Sequence, residues 1–268
     1  FGFADAQTKG IRNALSSKVA ILTGGPGTGK TTILRAIVSI LKAKKAKVML
    51  AAPTGRAARR MSESASHFAQ TVHRLLKFDP SHGGFTVNEK SPLVCDFLIM
   101  DETSMLDIRL ASALFRSVPA HAHVLLVGDS DQLPSVGSGN VLKNLIDCSL
   151  FSVTRLEVTF RQAENSGIVN LAHGILAGKG SPPSPVDSLD KLNPKQDVHF
   201  IRAVTPELCV EVITKLCSQI LPKKFSIDPK QDVQILAPLH RGTAGIGNLN
   251  DQIRDSINPH GSTLTMGF

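Results

Sequence analysis

The residues at 24–32 read Gly-Gly-Pro-Gly-Thr-Gly-Lys-Thr-Thr, which is the composition of a phosphate cradle. Gly24, Gly25, Gly27 and Gly29 let backbone N–H groups curl around phosphate oxygens, and Pro26 and Thr28 complete the loop. Lys30 is placed to reach the β- and γ-phosphates, and Thr31, followed by Thr32, to set its hydroxyl on Mg²⁺. The chemistry expected is the binding and hydrolysis of a nucleoside triphosphate, with ATP and Mg²⁺ as cofactors.

Such a loop needs a second magnesium ligand and a group to handle the attacking water. Asp101 and Glu102 follow an apolar run and are suited to these two tasks, Asp101 in the metal shell and Glu102 as general base. An acidic pair after a strand is common in ordinary loops, so its meaning here depends on the phosphate loop. A second polar stretch at 128–134 carries Gln132, neutral and bidentate, suited to sensing a γ-phosphate or its water without adding charge. A plain turn is the competing reading.

These groups need elements to hold them. The apolar runs at 19–22, 48–52, 97–100 and 124–127 are continuous rather than alternating, as in strands buried on both faces. Between the first two, Ile33, Leu34, Ile37, Val38 and Leu41 recur at helical spacing, giving a strand, loop, helix, strand unit. The fold class predicted is α/β with a parallel, doubly covered sheet. A second α/β unit is expected further on, with strands at 198–201 and 233–237 and a helix opened by Thr205 as cap and Pro206 in its first turn. The polar, proline-rich stretch from 181 to about 195 reads as a surface loop.

Composition narrows the classes further. The 268 residues are 42% hydrophobic, enough for one large or two modest domains, and the net charge of +8 favours polyanionic partners without naming one. No apolar stretch approaches the ~18 residues of a membrane span, and no leader pattern is visible, so an intracellular, cytoplasmic location is expected. Cys95, Cys148, Cys209 and Cys217 lack metal spacing, and Cys209 and Cys217 share an apolar helical stripe, which predicts buried thiols. His121 and His123 are a weak metal candidate and are read as structural. The lysine-rich run at 42–47 sits at a helix end, where cations complement the dipole, and reads as a solvated face. The chain opens on Phe1 and ends on Phe268, which reads as an internal segment of a longer protein.

In order along the chain stand GGPGTGKTT, APTGRAARR at 52–60, TVHRLL at 71–76, LIMDETSMLD at 98–107 and LLVGDSDQLPSVGSGNVL at 125–142. The series resembles superfamily 1 helicases. TFRQAENSGIV at 159–169 and ILAPLHRGTAGIGNLN at 235–250 narrow the resemblance to RecD-like helicases, related to the alpha subunit of exodeoxyribonuclease V, over nearly the whole chain. The resemblance implies a RecA-like P-loop domain at 1–155 and a partial second RecA-like domain at 156–268. It also implies 5′ to 3′ movement on single-stranded DNA in recombination and repair, and other subunits of a recombination nuclease complex as partners. Gln7 resembles the adenine-reading glutamine ahead of the P-loop, Gln132 the coupling glutamine, and Arg161 an arginine that contacts the γ-phosphate. On its own Arg161 would read as a surface ion-pair residue. Thr54, Arg56, Thr71 and His73 resemble positions on the single-strand track, though Thr54 equally suits a helix cap and His73 could simply pack.

The chain departs from the RecD-like pattern in lacking the two last motifs. The expectation is therefore an incomplete motor that binds nucleotide and unwinds duplex poorly. Two other readings stand beside it. A signalling GTPase would share the P-loop, but no N-K-x-D run is present. A DNA-binding subunit with a vestigial motor would share every motif.

Overall fold

The four continuous apolar runs form the centre of one six-stranded sheet, as two-faced burial requires. The computed structural model describes residues 4–81, 83–156 and 166–258. The chain divides into two compact units, Phe1–Gln162 and Ala163–Phe268.

The first unit opens with helix α1 (Asp5–Ser16), strand β1 (Val19–Gly24), α2 (Lys30–Ala43), β2 (Val48–Ala52), α3 (Gly55–Ala65), β3 (Ala69–Thr71) and α4 (Val72–Leu75). A small antiparallel pair, β4 (Phe78–Asp79) and β5 (Gly84–Phe85), precedes β6 (Phe97–Met100) and a 3₁₀ turn at Thr103–Met105. Then come α5 (Ile108–Ser117), β7 (His123–Gly128), α6 (Val141–Asp147) and β8 (Ser152–Leu156). The strand order is β3-β2-β6-β7-β1-β8, and every pairing is parallel.

Strand β6 shows why the run is continuous. Phe97 and Ile99 lie in one core cluster, with Ile33, Leu34 and Ile37 of α2 and Met61 of α3. Leu98 and Met100 lie in the other, with Leu75 of α4, Leu114 of α5 and Leu142 of α6. Alternate side chains leave a strand on opposite faces, so each face must be apolar when helices cover both. Each large aliphatic side chain buried this way stabilises the fold by roughly 1.5–3 kcal/mol. The helices start where hydroxyls and carboxylates can cap them. Thr54, Thr71 and Asp107 accept from the backbone N–H groups of Ala57, Arg74 and Leu110.

Strands β3 and β8 are additions to the sequence reading. Both stand at the sheet edges and carry polar residues, so neither shows a long apolar run. His121 and His123 are structural here. His123 Nδ1 lies 2.9 Å from the Ser17 carbonyl and its ring stacks on Phe97, while His121 lies 3.7 Å from Asp96. The described residues hold no cluster of three or more His, Cys, Asp or Glu that could bind a metal ion. The lysine run is exposed, with Lys42 Nζ donating to the Ser66 carbonyl at 2.8 Å.

The second unit holds α7 (Gly167–Leu176), a 3₁₀ turn at Leu189–Lys191, α8 (Pro206–Lys215), a π turn at Leu216–Ile220, α9 (Leu221–Phe225) and α10 (Ile246–Ile257). Thr205 caps α8 with Pro206 in its first turn, as expected. Asp197 holds the start of α7, accepting from the Ser166 hydroxyl at 2.7 Å and the Gly167 N–H at 3.1 Å. The Ser166 bond is the main reason its carboxyl lies below the usual range. Cys217 is buried as predicted, whereas Cys209 is only half-buried.

The strands predicted at 198–201 and 233–237 do not form. Phe200 makes one isolated bridge to Pro185, and Leu236 is 85% exposed. A parallel strand needs a run of neighbours for its N–H and C=O groups, and Phe200 has a single bridge to Pro185. No helix among the described residues is long and apolar enough to cross a membrane.

Candidate nucleotide site and the adjoining loops

Parallel strands deliver their following loops to one sheet edge, and β1, β6 and β7 deliver the three predicted groups together. Thr23 of β1 pairs with Gly128 of β7, and Met100 of β6 with Leu126. The loops after Gly24, Met100 and Gly128 are thus neighbours along the carboxyl edge.

The loop at 24–30 is shaped by its glycines at the points where no other residue fits. At Gly24 a Cβ would come within 2.6 Å of the Leu156 carbonyl on β8, and Gly29 takes φ 89°, the left-handed conformation that turns the loop into α2. Gly29 offers no capping side chain to the first-turn N–H groups of α2. The buried Thr28 hydroxyl donates to the Gly25 carbonyl at 2.8 Å. Lys30 Nζ folds back over the loop and donates to the carbonyls of Gly24 at 2.6 Å and Gly25 at 2.9 Å. A cation is thus held over the loop, and Gly24 is a position in it where a side chain has no room. Pro26, Thr31 and Thr32 are exposed at its rim. This arrangement fits a nucleoside triphosphate, with Thr31 and Asp101 as the oxygen donors for its divalent ion.

Asp101 ends β6. Burial raises its pKa above the ordinary 3.8, with the Glu102 charge adding to that rise, while a bond from the Glu102 N–H at 2.9 Å and the charges of Lys30 and Arg60 oppose it. Glu102 takes φ 51°, uncommon for a residue with a side chain, and starts the 3₁₀ turn. The backbone N–H groups of Thr103 and Ser104 back onto Gly128, where a Cβ would lie 3.3 Å from each.

The loop after β7 is organised by Asp129, which is buried. Its carboxylate accepts from the Asp131 N–H at 3.0 Å and from Gln132 Nε2 at 3.3 Å. Asp129 is a residue the sequence reading missed, although its three-residue spacing from Gln132 was visible. Thr23 was missed as well. Its buried hydroxyl accepts from the Ser130 N–H at 3.2 Å and donates to Ser130 Oγ at 3.3 Å.

The remaining candidates divide. Gln7 is buried in the first turn of α1, where its Oε1 accepts from the Ala4 N–H at 3.2 Å. That bond gives it a structural task at the helix start. Thr54 and Thr71 follow or end adjacent strands, Thr71 pairing with Ala52, and both hydroxyls cap helices. Arg56 is exposed. His73 packs against Phe78 and Phe85, with ring centroids 5.8 and 5.9 Å away. Arg161 lies outside the described residues.

The fold and the loop define a RecA-like P-loop domain, and residues 7–138 match the AAA domain family. In sequence the chain is similar to RecD-like superfamily 1 helicases. It is 33% identical over 96% of its length to the ATP-dependent RecD2 DNA helicase of Deinococcus radiodurans, of which it covers 33%. It is 34% identical over 66% of its length to the RecBCD enzyme subunit RecD of Mycobacterium tuberculosis, covering 35% of that protein. The chain thus spans about a third of the length of these curated relatives. Among solved structures, a Pif1 helicase studied in unwinding at forked duplex DNA aligns with a TM-score of 0.51 and 22% identity, over 82% of this chain and 59% of that one. That likeness concerns the fold.

Proposed function

We propose that this chain is the nucleotide-hydrolysing part of a DNA helicase that moves 5′ to 3′ on single-stranded DNA in recombination and repair. The observation that carries the reading is the meeting of Lys30, Asp101 and Gln132 at one sheet edge. The sequence match to RecD2 and RecD proteins supports the choice of DNA as track. Lys30 binds the β- and γ-phosphates, and Thr31 and Asp101 hold Mg²⁺, which when bound neutralises charge on the phosphates. Glu102 takes the proton of the attacking water, and Gln132 senses the γ-phosphate. Arg161 supplies a further positive charge to the transition state. Residues 156–268 are a partial second RecA-like domain that lacks the last motifs of the family. This chain by itself therefore binds nucleotide and unwinds duplex poorly. Thr54, Arg56, Thr71 and His73 contribute to the single-strand track, where phosphate contacts dominate. The protein is cytoplasmic and associates with other subunits of a recombination nuclease complex, an association supported by the similarity to a RecBCD enzyme subunit.

The test is ATP turnover with and without single-stranded DNA, with Lys30→Ala as control. Stimulation by DNA that vanishes in the variant supports the reading. DNA-independent turnover points to another kind of P-loop ATPase, and tight DNA binding without turnover to a DNA-binding subunit with a vestigial motor.

A further inference from the structure

Strands β1 and β7 pair as far as Thr23 and Gly128, and beyond that pair their chains diverge. One becomes the phosphate loop and the other the loop of Gln132. The Thr23 hydroxyl spans this divergence. It is only 2% exposed, and it both accepts from the Ser130 N–H at 3.2 Å and donates to Ser130 Oγ at 3.3 Å. On the far side of Ser130, the buried Asp129 carboxylate holds Gln132 Nε2 at 3.3 Å and the Asp131 N–H at 3.0 Å. The end of β1 is thus linked to the Gln132 side chain through Ser130 and Asp129. A buried hydroxyl with both its donor and its acceptor engaged resists rotation, because releasing either bond leaves a polar group unsatisfied.

We propose that Thr23 and Ser130 are positioning residues that make the phosphate loop and the Gln132 loop move as one body, so that the state of the γ-phosphate reaches the Gln132 side chain. The proposal rests on the helicase reading of the same site, and it predicts a defect in transmission rather than in nucleotide binding.

Two measurements on the full chain test it, with Thr23→Val to delete the hydroxyl at near-constant shape and Thr23→Ser to restore it. First, amide hydrogen exchange at 129–132 is expected to speed up about tenfold in Thr23→Val and to return in Thr23→Ser. Second, DNA-stimulated kcat is expected to fall about five- to tenfold in Thr23→Val, the size of one lost buried hydrogen bond, with KM for ATP within about twofold and recovery in Thr23→Ser. Adding Thr23→Val to Gln132→Ala is expected to lower kcat no further. Unchanged exchange in Thr23→Val overturns the proposal, and so does faster exchange with unaltered DNA-stimulated kcat or a full additional loss on top of Gln132→Ala. If the unaltered chain shows no turnover, the helicase reading fails, and the exchange result still decides whether Thr23 positions the loop.

Discussion

The side-chain amide of Gln132 donates to the carboxylate of Asp129 at 3.3 Å, and that carboxylate is almost wholly withdrawn from water. An exposed glutamine at a loop tip would otherwise sample many rotamers, so the buried acid narrows them to those that reach its carboxylate. Asp129→Ala removes the anchor and leaves the Asp131 N–H without its acceptor. Steady-state kinetics should show kcat reduced about tenfold or more, close to the effect of Gln132→Ala, with a melting temperature a few degrees lower. Activity at the parent level in Asp129→Ala would mean that Gln132 is positioned by something else.

Asp101 is a case where activity and stability oppose each other. Its folded-state pKa lies above the ordinary 3.8, because burial outweighs the help from Lys30 and Arg60. Between 3.8 and the raised value the folded state binds more protons than the unfolded one. Stability is therefore lost as pH rises through that window, and the cost of the buried charge is complete above it. Asp101→Asn keeps an oxygen for the Glu102 N–H and removes the charge. At neutral pH, without nucleotide, its melting temperature should exceed that of the parent, and the gain should vanish below about pH 3.8, where both are neutral. Hydrolysis should fall at least a hundredfold. A lower melting temperature at neutral pH would show that the carboxylate is needed by its neighbours.

Neighbouring glycines of the phosphate loop should respond differently to a methyl group. At Gly24 a Cβ meets the Leu156 carbonyl at 2.6 Å and the Leu156 Cβ at 2.9 Å, while at Gly25 nothing lies within 4 Å. Gly24→Ala should lower stability by about 1–3 kcal/mol as β1 and β8 are pushed apart. Gly25→Ala should melt with the parent. Denaturant titrations of the two variants give the comparison, and equal midpoints would contradict the close approach of β8.

The four thiols should separate by reactivity. Burial, with the Asp96 charge adding to it, raises the Cys95 thiol to about 11, and burial raises that of Cys217. Cys148 is exposed. Since the thiolate is the nucleophile, a maleimide at neutral pH should modify Cys148 first and reach Cys95 and Cys217 only with unfolding. Mass mapping of the modified peptides reads the order.

The central strands and the phosphate loop were legible because both are written locally. A strand covered on both faces must be apolar at every position, and a loop that wraps phosphate must be rich in glycine, so 97–100 and 24–32 announce themselves. Strands β3 and β8 were not legible, since an edge strand takes its identity from a neighbour far away in sequence: Thr71 from Ala52, Leu156 from Gly24. The segments at 198–201 and 233–237 failed for the converse reason. Their apolar residues suit a strand, but suitability does not by itself build a ladder. In the site, Lys30, Asp101 and Gln132 were proposed from residue type, and the loops that carry them share one sheet edge. Thr23 and Asp129 act by where their hydrogen bonds end, and a sequence of residue types does not record that.

The direction of the six strands has a practical side. Since every chemistry-bearing loop leaves the carboxyl edge, the opposite rim, where Lys18, Lys47 and His121 stand in exposed positions ahead of β1, β2 and β7, is set apart from nucleotide chemistry. A fluorophore or a surface tether attached at that rim has the length of the strands between itself and the phosphate loop. The protein can be watched or held from there while its working edge stays untouched.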